Sequence, residues 1–442
     1  MRLEPMSHFG VLSYKGTGHL NPFIALSRQL LSRGHRVTFL QKPALKSHIL
    51  QQGLEFVPIG ELQVKRNGQQ IPVQSGIAGL QYGMRRILSE IEVFLRDAPS
   101  VISEAGIDVL LVDEIALYGP TLAEVRKIPY FVISTSVPSQ FGWTIPSWLS
   151  LSKPTTSPLD QLRTDTLQVT VFRIGGPLQA ALDEFRRRVG LGPTRKIRRS
   201  FPELAHLSQL PECLDFPRSL LPSNFYYTGP LVDKSARSDV PFPWDRLDGR
   251  PLIYASLGTA KTDRLETFHC ISDACSRLNL QLVMSLAGRH DPESFRDMHG
   301  EHVVVRFAPQ LELIKRAIIV ITHGGLNTAL ETLLEGKPMI VIPMAHDQPA
   351  VAARLSSSHV AEVLDPTALS ADSLQFAIQK LLNDSTYRES ARMQQVKIQA
   401  TRGLERAADV IEDYLDRFRT NPSNIQRSQW HPTSLENSSA LH

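Results

Sequence analysis

Between Phe9 and Leu40 the hydrophobic pattern changes period twice. Phe9 to Tyr14 is a continuous run of buried-strand type, Phe23, Leu26 and Leu30 recur at helical spacing, and Arg36 to Leu40 reads as a second strand. The glycine-rich segment Lys15 to Asn21 joins the first strand to the helix. Asn21 suits an N-cap with Pro22 at the first helical position, and Gly34 suits a left-handed C-terminal cap. Strands at Asp108–Val112 and Tyr130–Thr135 continue the alternation, which is the pattern of a parallel sheet covered by helices. Regularity weakens between Pro138 and Pro222, where Pro, Ser and Trp accumulate. It resumes at Pro251, after a proline- and charge-rich passage of linker type. From there strands are predicted at Leu252–Ser256, Gln281–Ser285, Val303–Arg306, Ile318–Thr322 and Met339–Ile342. Helices are predicted from Ser370 to Phe418, and the polar, aperiodic tail from Thr420 to His442 is expected to be disordered. The expected organisation is α/β, with an N-terminal domain over 6–232, a linker over 233–250 and a second domain over 251–403. A C-terminal helix over 404–419, able to pack back on the first domain, precedes the tail at 420–442.

The length of 442 residues suits two domains of roughly 200 each. Lys+Arg 48 against Asp+Glu 44 gives +4, too weak an excess to point to a partner, and no nucleic-acid partner is expected. Cys213, Cys270 and Cys275 lack paired spacing and read as buried free thiols. The N-terminus has no long apolar stretch of signal-peptide type, and no apolar run approaches the roughly 20 residues that span a bilayer. A cytoplasmic monomer is expected.

Candidate chemistry concentrates between Phe307 and Gln348. The strand Ile318–Thr322 ends at His323, Gly324 and Gly325 allow a tight turn, and a helix opens at about Leu326 to Asn327 and ends at Gly336. A strand, a glycine turn and a helix in that order gather free N–H groups and the positive helix end at one point, which suits a phosphate. His323, Asn327 and Thr328 add donors there, and Glu331 lies one turn beyond Asn327, where a carboxylate can accept ribose hydroxyls. Phe307 and Gln310 follow the preceding strand, where a ring can stack on a base. Asp347 and Gln348 follow the next one, at the sheet end where open α/β sheets place ligands.

Phe307-Ala308-Pro-Gln310, Thr-His323-Gly-Gly325-x-Asn327-Thr328, Glu331, Gly336-x-Pro338, Pro343 and Asp347-Gln348 stand in one order over about 40 residues. This set resembles the signature of the UDP-glycosyltransferase family of GT-B fold, two Rossmann-like parallel-sheet domains facing a cleft. The resemblance implies an N-terminal acceptor domain and a C-terminal nucleotide-sugar domain. It implies that Phe307 stacks on uracil, that Glu331 binds ribose and that His323, Asn327 and Thr328 contact phosphate. It further assigns Asp347 and Gln348 to sugar hydroxyls, with Gln348 favouring UDP-glucose as co-substrate. Ser256 to Thr259, with Gly258, look like a second phosphate-contacting loop. Phe307 and Leu326 stand where plant members have tryptophan. The Asp347–Arg354 run and the GLERAAD stretch near Gly403 are similar to bacterial glucosyltransferases of the zeaxanthin type.

Gly16 to Pro22 places His19 before the first helix, and the third glycine of a dinucleotide fingerprint is replaced by Asn21. A sugar-acceptor hydroxyl needs a general base near neutral pH, which suits His19. A carboxylate on the other ring nitrogen would orient it; Asp113 is the candidate and Glu114 the second choice. No Asp-x-Asp occurs, so a metal-independent, inverting displacement with no cofactor is expected. Phe141, Trp143, Ile145 and Trp148 line an apolar acceptor pocket or belong to ordinary core, and their spacing does not separate the two. The cationic residues Arg186 to Arg188, Arg195, Lys196, Arg198 and Arg199 read as a solvated face or as a peripheral contact with an anionic bilayer. Two other functions fit the same fold. A nucleotide-sugar epimerase would lack the His19–Asp113 pair, and a non-catalytic nucleotide-sugar-binding protein would lose His19 or one domain.

Overall fold

β1 (His8–Leu12), β4 (Val109–Asp113) and β5 (Tyr130–Ser134) are buried at every position, because helices cover both faces of the sheet they form. The computed structural model describes residues 6–60, 76–138, 166, 176–193, 204–218, 221–237, 240–258, 265–298 and 300–420, with side chains omitted over 76–86. Its first sheet has seven parallel strands in the order β3-β2-β1-β4-β5-β6-β7. The others are β2 (Arg36–Gln41), β3 (Glu55–Pro58), β6 (Ala205–Ser208) and β7 (Phe225–Tyr227). Along β4, Val109 and Leu111 face one core with Phe9, Val11, Phe131 and Ile133, while Leu110 and Val112 face the other. The first face is covered by α1 (Thr17–Ser32). The second is covered by α3 (Gly76–Glu104), α4 (Gly119–Arg126) and α5 (176–188).

The second sheet has six parallel strands in the order β10-β9-β8-β11-β12-β13. They are β8 (Leu252–Ser256), β9 (Gln281–Ser285), β10 (Val303–Val305), β11 (Ile319–Thr322), β12 (Met339–Val341) and β13 (Ala361–Val363). α6 (Leu265–Arg277), α7 (Gln310–Arg316), α8 (Leu326–Leu334), α9 (Gln348–Ser357), α10 (Ala371–Asn383) and α11 (Ser385–Ala400) wrap it. In both sheets the chain leaves the first strand outward and later crosses to the other side, so each has a switch point at its centre where a ligand crevice opens.

The last helix, α12 (Gly403–Thr420), packs on the first sheet rather than the second. Ala407, Ala408, Ile411 and Leu415 join Phe23, Leu26 and Leu30 of α1 in one core. Arg33 and His35 both reach Glu412, and Tyr226 meets Tyr414 at 3.0 Å. The return is possible because glycine stands where the two crossing strands of chain touch. A Cβ on Gly403 would lie 2.1 Å from the Pro230 carbonyl, and one on Gly229 would meet Thr401.

Several expectations are corrected. α1 begins at Thr17, so Asn21 is not its N-cap and Pro22 lies inside the helix; Gly16 caps it, its carbonyl accepting from His19 and Leu20. Cys275 is buried, but Cys213 and Cys270 are only half-buried. Arg186 is buried, donates to the Gly192 carbonyl at 2.6 Å and pairs with Glu124 at 2.7 Å, so it presents no charge to a bilayer. Arg187 and Arg188 pair with Glu184, while Arg195, Lys196, Arg198 and Arg199 lie outside the described residues, as does the tail from 421. Among the described residues no helix is long and apolar enough to cross a membrane.

Candidate active site

Strand alternation sets the first half of the site. Residues 109, 111 and 113 of β4 point to the face that α1 covers, so Asp113 meets the start of α1, where His19 sits. His19 Nδ1 lies 2.8 Å from Asp113 Oδ2 and 2.7 Å from Thr135 Oγ1. Thr135 follows β5 with the same parity as Phe131 and Ile133, which brings it to this face. Asp113 is buried, and its two oxygens also accept the backbone N–H groups of Tyr14 and Ile115, at 3.0 and 3.3 Å. A carboxylate so fixed requires the proton on Nδ1, which leaves Nε2 as the basic nitrogen. The Tyr14 ring stands edge-on to His19 at 5.3 Å. Burial works against the imidazolium. The Asp113 charge and hydrogen bond, with Asp347 and Glu114 further off, outweigh it and hold the His19 pKa above its ordinary value.

Glu114 takes the opposite parity and leaves this face. It accepts from Ser134, whose hydroxyl also meets His206. Burial lowers the His206 pKa to about 4, so that histidine is neutral, and Glu114 is occupied in a buried network.

The second half lies at the carboxyl end of the other sheet. Gly324, with φ +84°, turns the chain from β11 into α8, and the Gly324 N–H reaches Thr322 Oγ1 at 3.2 Å. His323 is wedged between Gly258, φ +71°, and Gly325; a Cβ on either would lie within 2.6 Å of its ring. Burial lowers its pKa to about 4, assisted by the charge of His346 and opposed by a hydrogen bond to the Ser256 backbone. Ser256 ends β8, whereas Thr259 lies outside the described residues. Thr328 is buried in the first turn of α8, 3.4 Å from Gln310 Nε2. Asn327 turns toward the first domain, its Nδ2 donating to the Gly18 carbonyl and its Oδ1 accepting from Gln209, both at 2.8 Å.

Glu331 is buried, with one oxygen on Arg237 and the other 2.6 Å from Gln310 Nε2. Gln310 is itself held by the Tyr254 hydroxyl at 3.1 Å. Burial pushes the Glu331 carboxyl above the usual range, against the pull of Arg237 and Gln310. Phe307 is 54% exposed and rests one edge on Gly288, where a Cβ would lie 2.5 Å from Cζ; Ala308 beside it packs into the core under α7 and α8. Gln348 Oε1 accepts the N–H groups of Met344 and Ala345 at 2.7 and 2.9 Å, so its Nε2 is what it offers a ligand. Asp347 lies near enough to His19 to feel its charge; burial raises its carboxyl, and His19 and the Val137 N–H pull the other way. On the same helix Arg354 crosses to Asp215 of the first domain, 2.8 Å away, which Arg218 and Tyr227 also hold.

The structure therefore joins His19 to Asp113 at the end of the first sheet and brings Asp347, which follows β12 of the second, within range of the His19 charge. His323, Asn327, Thr328, Glu331, Gln310 and Gln348 gather around the first turns of α8, while Phe307 stands apart against Gly288. Phe141, Trp143, Ile145 and Trp148 lie outside the described residues. Thr135, Gln209 and Arg237 also contact the site, and no sequence motif includes them. Strand parity carries a signal for Thr135; Gln209 follows a strand too short to show a period, and nothing marks Arg237 within the linker.

Residues 204–418 match the family model of UDP-glucoronosyl and UDP-glucosyl transferase, and residues 11–139 that of the glycosyltransferase family 28 N-terminal domain. A zeaxanthin glucosyltransferase of Pseudescherichia vulneris is 30% identical over 426 residues, covering 92% of this chain and 98% of that one. One of Pantoea ananas is 27% identical over 418 residues, covering 93% and 96%. A calicheamicin glycosyltransferase of known structure has the same fold, with a TM-score of 0.72 at 22% identity, over 94% of this chain and 99% of that one.

Proposed function

The chain belongs to the UDP-glycosyltransferase family and carries a sugar from a nucleotide sugar to a small-molecule acceptor, and on that premise we propose an inverting transfer of glucose from UDP to a hydroxyl of a lipophilic acceptor, a hydroxycarotenoid, with His19 as general base. The observation that carries this reading is the His19–Asp113 contact of 2.8 Å, beside Asp347 and bridged through Gly18 to the N-terminus of α8. His19 Nε2 takes the acceptor proton as the acceptor oxygen bonds to the anomeric carbon. The bond from that carbon to the diphosphate breaks, and the electron pair leaves with UDP. The imidazolium is stabilised by Asp113, as in a histidine–carboxylate pair. The leaving diphosphate meets the first turn of α8, with its free N–H groups and Thr328, a preorganised electrostatic site. The one-step displacement inverts the anomeric centre.

Glucose is supported by Gln348, whose side-chain carbonyl is taken by backbone N–H groups and whose amide Nε2 remains to donate, and by the names of the two relatives. Those names also support the hydroxycarotenoid, for which an extended apolar ligand would gain about 25 cal/mol for each Å² removed from water. The test is a competition among hydroxycarotenoids, flavonoids, sterols and oligosaccharides with UDP-glucose, with and without excess EDTA, reading product mass and anomeric configuration. We expect hydroxycarotenoid product of inverted configuration, unaffected by EDTA. Preference for oligosaccharides by kcat/KM overturns the acceptor class, preference for flavonoids discards only the carotenoid, and a retained anomer discards the single displacement.

Glu331→Ala is expected to weaken UDP binding about 10- to 100-fold by calorimetry, because a hydrogen bond to a charged group contributes about 1.5–3 kcal/mol. Unchanged affinity in a folded variant removes Glu331 from the ribose site.

A further inference from the structure

The bond between Asn327 and the Gly18 carbonyl has a cause in the sequence of α1. An α-helical carbonyl is normally taken by the N–H four residues on, and for Gly18 that residue is Pro22, which has none. The proline ring also crowds the carbonyl four residues back and tilts it off the helix axis. Gly18 therefore presents an acceptor directed out of the helix, immediately before His19 in sequence. Asn327 Nδ2 occupies it at 2.8 Å, from the first turn of α8 in the other domain. The amide cannot turn over, since its Oδ1 accepts from Gln209 Nε2 at 2.8 Å. Gln209 is buried and donates also to the Thr135 carbonyl, and Thr135 Oγ1 touches His19 Nδ1. One network thus reaches His19 twice, through the backbone of the preceding Gly18 and through the Thr135 hydroxyl on the ring, and Asn327 closes it.

We propose that Asn327 is a positioning residue that holds the His19 turn against the donor-binding end of α8, using the carbonyl that Pro22 leaves unpaired at Gly18. This rests on the reading of His19 as the base. An amide nitrogen carries two hydrogens. One is spent on Gly18, and the other remains for the diphosphate that the same helix end receives. One side chain then sets the distance between the base and the leaving group, and a base displaced by about 1 Å can cost a hundredfold in rate.

The test compares Asn327→Ala, Pro22→Ala and the double variant with the wild-type enzyme. The readouts are kcat at saturating donor and acceptor, UDP affinity by calorimetry and the pH profile of kcat/KM. Asn327→Ala should lower kcat about 10- to 100-fold. Pro22→Ala restores an N–H for Gly18 and lets its carbonyl return to the helix, so kcat should fall while UDP affinity is unchanged. In the Pro22→Ala background the Asn327→Ala loss should shrink, the non-additivity expected of residues that act through one contact. An equal loss in both backgrounds overturns the proposal, as does an Asn327→Ala effect confined to UDP affinity with kcat intact. A wild-type profile without an acid limb that depends on His19 overturns the base assignment instead, so the two failures are separable.

Discussion

His19→Ala should lose about 10²–10⁴-fold in kcat and keep the wild-type affinity for UDP, because a general base acts on the acceptor and not on the nucleotide. The wild-type profile supplies the second half of the expectation. Only the neutral imidazole can accept a proton, and the surrounding carboxylates hold the His19 pKa above its ordinary value of 6.5. The rate should therefore fall as pH drops, along an acid limb lying above 6.5, and the residual rate of the variant should lack that limb. Stopped assays across pH, with calorimetric UDP titration of the same variant, decide it. A parallel loss of UDP affinity would mark His19 as structural.

Asp113→Asn should cost about 10² in kcat or more, since loss of the carboxylate removes the charge that stabilises the imidazolium. The amide has an awkward fit. Both Asp113 oxygens already accept backbone N–H groups, from Tyr14 and Ile115, so an NH₂ group at either place opposes a donor. The acid limb should move to lower pH, because the principal influence raising the His19 pKa is gone. Adding Asp113→Asn to His19→Ala should do almost nothing, as for residues that work as a unit. A further loss of comparable size in the double variant would place Asp113 in a role independent of His19.

The legible parts of the fold were those in which a physical period is long enough to count. β1, β4, β8 and β9 each carry three or more consecutive residues of non-polar or aromatic type and are buried at every position, and such runs are readable. β3, β7 and β13 have three or four residues at sheet margins, and β6 is Ala-His-Leu-Ser, buried but without β-branched residues; none displays a period. The start of α1 was misplaced because Asn21-Pro22 imitates a cap and first turn, whereas the helix had already begun on the Gly16 carbonyl. In the site, the residues of the glycine turn, the His19 loop and Asp113 announce themselves by type and order. Gln209 and Arg237 do not, since each acts on a partner about a hundred residues away, Asn327 and Glu331, which no local pattern can specify.

The return of α12 to the first sheet has a consequence for biosynthesis. As the ribosome releases the chain, β1 to β7 emerge long before Ala407, Ala408, Ile411 and Leu415, so the apolar face of α1 that they cover remains in contact with water until the whole of the second sheet has been synthesised. The second sheet, which lies wholly between, can be finished first, although its code comes later. Recombination between relatives meets the same constraint. A crossover in the linker that exchanges the two halves separates α1 from the helix fitted to it, and a hybrid keeps the original partnership only if residues 403–420 travel with the amino-terminal half.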